Sequence, residues 1–305
     1  MRGVIFPVAF LLLAFMLISS PASGAWANTV YQADSLYHHI RVVDEGGNRM
    51  LRFDNSVESQ MSRSNPLMGH FEYVDYFFQS FVLKRDIEKC LMLGLGGASA
   101  PKLMQHYFRT VEIDVAEIDE MVYDVACEYF YFNPSDTTEV TIQDARVFLR
   151  KSDKTYDLII MDAYTSNKYG SYIPYHLATL EFFEIVDEHL SDDGVFAFNV
   201  IGQIYGDRKE ILASIYHTLS KVFPNMYLFP AYESQNVVVI ASKSNDSFSR
   251  TDWTSIAAKL VNAGNVGMYP RYLLRAGNYT DAVPAKWWEA QVLTDDYAPI
   301  DGLLR

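Results

Sequence analysis

Apolar and polar residues follow two different periods along the chain, and the change between them divides the sequence. Between residues 30 and 65, short apolar-rich runs alternate with polar turns, as in residues 37–43, the turn at 45–48 and residues 49–53. Such runs, bounded by turn residues, are typical of β-hairpins. Residues 28–66 are therefore predicted to form a small β-hairpin domain, and residues 67–305 the main domain.

The main domain is predicted to begin with a helix over residues 68–83. Its large apolar side chains recur at helical spacing, at Phe71, Val74, Phe77, Phe78 and Phe81. This spacing places them on one face of a helix.

From residue 90 onward, apolar runs of strand length alternate with helical patterns. Strands are predicted at 90–93, 110–118, 140–143 and 158–161, with helices at 101–107 and 121–130. This alternation indicates βαβ units, hence a mainly parallel, doubly wound sheet with helices on both faces. A helix over 207–222 and an antiparallel strand pair, 225–229 with 236–241, are predicted to complete the sheet.

Glycines and a carboxylate stand where the first two strands of this sheet end. The first strand leads into a turn with Gly94, Gly96 and Gly97, and Glu117 follows Gly96 by 21 positions. Glycines let the backbone turn tightly and approach a ligand, and an acidic residue ending the second strand accepts hydrogen bonds from ribose hydroxyls. The pattern predicts nucleotide binding at this edge.

Three aspartates also lie at or just past strand ends. They are Asp119, Asp144 and Asp162. Ligands of doubly wound sheets bind beyond the carboxyl ends of the strands, so Asp144 and Asp162 are candidates for the same site. An aspartate at such a position also caps the following helix, and this interpretation suits Asp119 best. His176 is isolated in the sequence and is expected to be structural or exposed.

Composition and charge narrow the class of protein. The chain has 305 residues, of which 50% are hydrophobic and 21% charged, enough for a full core. Its net charge is −13, and no Lys/Arg stripe is interleaved with aromatics, which argues against a nucleic-acid partner. No metal-ligand spacing occurs. Cys90 and Cys127 lie in apolar patterns and are expected to be free thiols.

The N-terminus has the layout of a targeting segment. Arg2 precedes an apolar run over residues 4–18, and Ala25 to Ala27 form a small-residue cleavage pattern. Residues 1–27 are therefore predicted to be a secretory signal peptide, with an uncleaved signal anchor in the membrane as the alternative. Either one places the folded part on the outer side of the membrane, in the periplasm if the source is bacterial.

Several segments together carry a family resemblance. The sequence resembles the spermidine synthase (polyamine aminopropyltransferase) family, as an atypical member, at residues 37–40, 51–54, 73, 94–97, 116–119, 144–146, 156–162 and 293–299. The resemblance implies a small β domain followed by a class I methyltransferase-like Rossmann domain. It also implies a transferase that uses decarboxylated S-adenosylmethionine and a polyamine.

The resemblance assigns a role to each matching position. Glu117 is expected to bind the ribose, and Asp144 with Ala145 the adenine edge. Asp162 matches the catalytic aspartate of the family and would accept a proton from the attacking amine. The tyrosine that lines the amine site corresponds to Tyr73. The glycine turn and His38 are the further cofactor-binding candidates, although a histidine in this setting is more often packed and hydrogen-bonded.

Four positions depart from the family pattern, and one of them is His38, where the family usually has a glutamine. An aspartate of the glycine turn, which would hold the aminopropyl ammonium, corresponds to Gly97, and a second aspartate, which helps hold the diamine, corresponds to Thr165. The glutamine expected before Ser59 is Glu58. Glu58 and Tyr164 are the candidates to compensate for the lost groups.

Three functions stay open at this point. The first is aminopropyl transfer from decarboxylated S-adenosylmethionine to a polyamine or other amine. The second is S-adenosylmethionine-dependent methyl transfer, for which Gly97 is no handicap. The third is non-catalytic binding of a nucleoside or polyamine in the cell envelope. No metal is expected, and a homodimer is an open alternative to a monomer.

Overall fold

The computed structural model of the chain describes residues 27–167, 170–206, 209–264 and 271–300. The predicted signal segment therefore lies outside the described residues, except for Ala27. Among the residues that are described, no helix has both the length and the apolar character needed to cross a membrane.

The N-terminal sheet has four antiparallel strands in sequential order. They are β1 (Asn28–Asp34), β2 (His39–Glu45), β3 (Asn48–Phe53) and β4 (Ser56–Ser62). The predicted β-hairpin unit is confirmed. Its turn between β2 and β3 includes Gly47 at φ +87°, in open space. The sheet buries Ile40, Val42 and Leu51 against apolar side chains of the helix at Glu120–Phe130.

The helix that leads into the main domain is shorter than predicted. α1 spans Tyr73–Phe77 and continues as a 3₁₀ helix over Phe78–Val82. The prediction of helix from residue 68 was wrong because the chain still turns there: the N–H of Ser62 donates to the carbonyl oxygen of Met68 at 2.7 Å, and Gly69 adopts φ +79°. The helical spacing of apolar residues thus begins before Tyr73, where the hydrogen-bonded helix starts.

The main domain is built on a seven-stranded sheet in the order β12-β13-β11-β8-β5-β6-β7. The strands from β11 to β7 in that order are parallel neighbours, and β13 runs antiparallel to both β11 and β12. The mainly parallel sheet with an antiparallel end is confirmed. The strands are β5 (Lys89–Leu93), β6 (Glu112–Glu117), β7 (Thr138–Ile142), β8 (Tyr156–Met161), β11 (Leu190–Ile201), β12 (Asn225–Ala231) and β13 (Asn236–Ser242), and a separate hairpin is formed by β9 (Thr165–Asn167) and β10 (Gly170–Tyr172).

Helices cover both faces of this sheet. They are α2 (Ser99–Tyr107), α3 (Glu120–Phe130), α4 (Ala145–Lys151), α5 (Leu180–Glu188), α6 (Lys209–Leu219), α7 (Arg250–Asn262) and α8 (Tyr272–Ala276). Alternate residues of β5 enter opposite cores: Cys90 and Met92 belong to one apolar cluster, Leu91 and Leu93 to the other. Such two-sided burial explains why the central strands are continuous apolar runs.

The C-terminal segment packs back onto the main domain. Asp295 forms an ion pair with Arg146, at 2.6 Å, and accepts a hydrogen bond from Thr179 at 2.8 Å. This contact joins the segment to α4 and to the start of α5.

Candidate active site

A cavity of about 360 Å³ lies between the carboxyl edge of the parallel sheet and the N-terminal sheet. All but one of the site residues predicted from the sequence line it. They are His38, Tyr73, Gly94, Gly96, Glu117, Asp144, Ala145, Asp162, Tyr164 and Thr165. The order of the strands explains the position: the chain leaves β5 for β6 on one side and leaves β8 for β11 on the other, and a crevice forms where the order reverses between β5 and β8.

Gly94 brings the ends of β5 and β8 together. It adopts φ +96°, and a Cβ at this position would lie 2.6 Å from the carbonyl oxygen of Asp162. A side chain therefore has neither a favourable backbone conformation nor space here. Gly96, at φ +52°, similarly approaches the hydroxyl of Ser59 on β4. The turn is thus a close backbone contact between two strand ends and the N-terminal sheet.

Gly97 is the one predicted site residue that is not among those lining the cavity. Its N–H donates to the Ser59 hydroxyl at 2.9 Å. A Cβ here would lie 2.9 Å from the Cβ of Ser59 and 3.0 Å from the Phe130 ring. The position is filled by β4 and α3, so a larger residue would require these elements to move.

Glu117 is held by the backbone of the residues around it. One carboxylate oxygen accepts the N–H of Leu95 at 2.8 Å, and the other accepts the N–H of Asp119 at 3.0 Å. Burial nevertheless raises the pKa of Glu117 above its usual value. The contact ties β6 to the glycine turn and fixes the carboxylate before any ligand binds.

Asp144 has a structural and a cavity-facing contact. It caps α4 by accepting the N–H of Val147 at 2.9 Å, and its second oxygen lies 2.8 Å from Nε2 of His176. Burial opposes ionisation, but these hydrogen bonds keep the pKa of Asp144 below its usual value. The helix-cap interpretation that seemed best suited to Asp119 therefore applies to both aspartates, since Asp119 caps α3. His176 is not isolated, because it lines the cavity.

Asp162 follows β8 and lines the cavity. It accepts hydrogen bonds from the Asn199 amide at 2.8 Å and from the Tyr73 hydroxyl at 3.3 Å. Burial raises its pKa to about 6, although both hydrogen bonds oppose the rise. A carboxylate with a pKa near neutrality is suited to accept a proton at physiological pH.

A short relay of polar groups orients the amide of Asn199. Its side-chain oxygen accepts from Asn236 at 3.0 Å, which leaves its nitrogen to donate to Asp162. The Tyr164 hydroxyl donates to the backbone carbonyl of Asn199 and accepts the N–H of Ile201 at 3.2 Å. Tyr164 and Asn236 thus support Asp162 indirectly. Sequence reasoning missed Asn199, although a buried asparagine within an apolar strand is itself a signal of function.

His38 combines packing with exposure to the cavity. Its Nδ1 lies 3.0 Å from the carboxylate of Asp119, and its ring stacks on Phe53 at 4.0 Å. Nε2 is buried and has no hydrogen-bond partner among the described residues. Burial opposes ionisation of Asp119, but hydrogen bonds from His38 and Ser35 lower the pKa of that aspartate. His38 is therefore packed and hydrogen-bonded, as the sequence favoured, and its Nε2 is left without a partner among the described residues.

The β9–β10 hairpin connects the two sheets across the cavity. Ser166 donates to Asp54 of the N-terminal domain at 3.1 Å, and Ser171 donates to Glu58 on β4. Thr165, at the start of this hairpin, lines the cavity with Glu58. Burial raises the pKa of Glu58 to about 7.

The charged side chains of the cavity wall are predominantly acidic. Four carboxylates line it, those of Glu58, Glu117, Asp144 and Asp162, while no lysine or arginine of the described chain does. Among the residues that the structure describes, no three or more potential metal ligands come together. The wall is therefore complementary to an organic cation.

Comparison with known proteins gives a consistent result. The family model described as "Spermine/spermidine synthase domain" matches residues 81–252. A polyamine aminopropyltransferase of Vibrio vulnificus (strain CMCP6) is 28% identical, and the alignment covers 96% of this chain and 97% of that protein. The similarity thus includes the N-terminal sheet as well as the parallel sheet.

Two solved structures show the fold. A probable spermidine synthase from Corynebacterium glutamicum ATCC 13032 superposes with a TM-score of 0.67 at 18% identity, covering 90% of this chain and 98% of that one. Human methyltransferase-like protein 13, in complex with SAH, superposes with a TM-score of 0.56 at 24% identity, covering 63% and 91%. The main domain therefore has the class I methyltransferase-like Rossmann fold.

Proposed function

We propose, because this chain belongs to the spermine/spermidine synthase family, that it transfers an aminopropyl group from decarboxylated S-adenosylmethionine to a polyamine. One observation carries the proposal: the cavity wall has four carboxylates and no described lysine or arginine. The donor is a sulfonium that also bears an ammonium, and the acceptor is a polycation. Such a wall attracts both.

The reaction needs a base and a fixed geometry. The acceptor nitrogen forms a bond to the methylene carbon beside the sulfonium, the carbon–sulfur bond breaks, and its electrons leave on a neutral thioether. The ammonium of the acceptor must lose a proton, which Asp162 accepts. Tyr73, within hydrogen-bond distance of Asp162, orients the carboxylate or the amine. Because the sulfonium is already a good leaving group, positioning supplies the remaining rate enhancement.

The nucleoside half of the donor has its own candidate ligands. Glu117 is fixed beside the glycine turn by two backbone N–H groups and would accept hydrogen bonds from ribose hydroxyls. Asp144 and Ala145 lie at the neighbouring strand end, where they would meet the adenine edge.

The full chain, incubated with decarboxylated S-adenosylmethionine and putrescine, is the direct test. We expect formation of spermidine and methylthioadenosine in equal amounts. S-adenosylmethionine, offered in a parallel reaction with the same acceptor, should not be consumed. Methyl transfer from S-adenosylmethionine without aminopropyl transfer would replace the proposal with its rival, and failure to bind any adenosyl nucleoside in calorimetry would remove both.

The rate should depend on pH through Asp162. Its pKa is raised from 3.8 to about 6, so the group that accepts the proton is itself protonated below that pH. We expect kcat/KM for the acceptor to rise about tenfold per pH unit up to about pH 6 and then to level off. Glu58 titrates nearby and can broaden the transition. A profile that is flat between about pH 4.5 and 7 would exclude Asp162 as the base.

Export is a separate proposal that depends on the N-terminal sequence alone. The apolar run over residues 4–18 and the small residues before position 28 support it. Sequencing of the N-terminus of the protein from its native cell is the test. A start near residue 28 would support a cleaved signal peptide, and an intact N-terminus in the membrane fraction would support the anchor.

A further inference from the structure

Glu58 is a cavity carboxylate without a cationic partner. It stands on β4, and one of its oxygens accepts a hydrogen bond from Ser171 of the β9–β10 hairpin. Neither oxygen has an ion-pair contact with a lysine, arginine or histidine of the described chain. Taking a carboxylate out of water is costly unless a charge or several hydrogen bonds compensate it. One serine hydroxyl supplies only part of that compensation.

The groups around Glu58 disfavour its ionised form. Asp162 and Asp54 both act on it as like charges, and His38 is the nearby group of opposite sign. The imidazole of His38, however, already pairs with Asp119 at 3.0 Å, and both side chains are only 4% exposed. His38 is therefore already engaged by another carboxylate.

The same carboxylate is placed beside the reacting groups. Tyr73 contacts Asp162, Tyr164 contacts the backbone of Asn199, and both tyrosines line the same cavity as Glu58. Glu58, from the N-terminal sheet, and Asp162, from the parallel sheet, thus border one volume. A cation bound between them would neutralise both.

We propose that Glu58 binds a primary ammonium group of the substrate next to Asp162, and so determines that the enzyme accepts a substrate with a charged amine end. The inference rests on the proposed function. The serine hydroxyl holds one oxygen of Glu58 in place and leaves the second for the ammonium. Charge-assisted hydrogen bonds of this kind are among the stronger polar contacts in proteins. The ammonium belongs either to the aminopropyl group of the donor or to the acceptor.

Glu58→Gln is the decisive variant because glutamine keeps the shape and the contact with Ser171 but removes the charge. We expect the KM of the substrate that bears this ammonium to rise about 10- to 100-fold, with kcat within about threefold of the parent. Glu58→Asp, which restores the charge on a shorter chain, should recover part of the affinity. A merely structural role for Glu58 would instead change the melting temperature and both KM values together.

Asp54→Asn is the matched control. Asp54 lies in the turn that leads into β4, accepts from Ser166 of the same hairpin at 3.1 Å, and does not line the cavity. Its replacement removes one negative charge from the neighbourhood and should leave both KM values within about twofold. An equal rise of KM in both variants would show a general field effect rather than a binding contact, and would overturn the inference.

Separate measurements identify the source of the ammonium and the cause of a failure. Methylthioadenosine lacks the aminopropyl group and should bind parent and variant equally. If only the KM of the donor rises in Glu58→Gln, Glu58 binds the donor ammonium. If only the KM of putrescine rises, Glu58 binds an ammonium of the acceptor. Unchanged KM values in an active Glu58→Gln enzyme overturn this inference and leave the proposed function intact. An inactive parent protein rejects the function, and calorimetry with putrescine and with decarboxylated S-adenosylmethionine then tests Glu58 directly: equal binding of both ligands by parent and variant overturns the inference.

Discussion

Replacement of Asp162 by asparagine is expected to lower kcat for aminopropyl transfer by about 10²- to 10⁴-fold, the usual loss when a general base is removed. The amide keeps the size of the side chain and can still contact Asn199 and Tyr73, but it cannot accept the proton of the attacking ammonium. Steady-state kinetics with putrescine measure the loss. Calorimetry with methylthioadenosine should show an affinity within about threefold of the parent, because Asp162 acts on the amine rather than on the nucleoside.

Asp153→Asn provides the comparison for charge alone. Asp153 is exposed in the loop before β8, the strand that Asp162 follows. Its replacement removes the same charge at the opposite end of β8 and should leave kcat unchanged. If Asp162→Asn retains more than about a tenth of the parent kcat, or if it loses nucleoside affinity to the same extent as activity, Asp162 does not act as the base.

Gly94→Ala is expected to destabilise the fold and to disrupt the site together. Alanine at φ +96° is strained, and its Cβ would lie 2.6 Å from the carbonyl oxygen of Asp162 and 2.9 Å from the Cα of Ala163. Both are backbone atoms, which cannot move as a flexible side chain can. We expect unfolding to become easier by about 3–5 kcal/mol, as measured by chemical denaturation, and the remaining folded protein to bind methylthioadenosine weakly.

Gly47→Ala separates backbone strain from overlap. Gly47 has a similar dihedral angle, φ +87°, but nothing lies within 4 Å of an added Cβ. The left-handed conformation alone should cost about 1–2 kcal/mol, without an effect on nucleoside binding. Equal destabilisation by the two alanines would mean that the contact between the glycine turn and the Asp162 backbone is not what requires glycine at position 94.

Predictions from the sequence were most successful where local chemistry is sufficient. A buried parallel strand must be apolar on both faces, so β5 and β8 were visible as short apolar runs that end at Gly94 and Asp162. Helix α1 was harder to predict because apolar spacing records which side chains are buried, not where the hydrogen bonds begin. Residues 68–72 have that spacing, yet the backbone there closes a turn with Ser62.

The partners of the site residues were beyond prediction for a different reason. Asn199 lies 37 positions from Asp162 in sequence, and Ser171 lies 113 from Glu58. Such contacts leave no periodic signal in a single sequence, since they depend on how strands are ordered in the sheet and on where a loop closes. His176 was judged isolated for this reason, and its partner Asp144 is 32 positions away.

The sequence by itself determined the strands β5 to β8 and the antiparallel pair β12 and β13, the glycine turn, and the acidic residues at the strand ends, because each of these follows from backbone conformation or from burial of a continuous segment. The tertiary structure alone decided which of those residues share a cavity. It packed Gly97 against Ser59 and Phe130 rather than in the lining of the cavity, and it brought Glu58 from the N-terminal sheet into the same cavity as Asp162. Packing between distant segments controls both outcomes, and no local rule of sequence describes it.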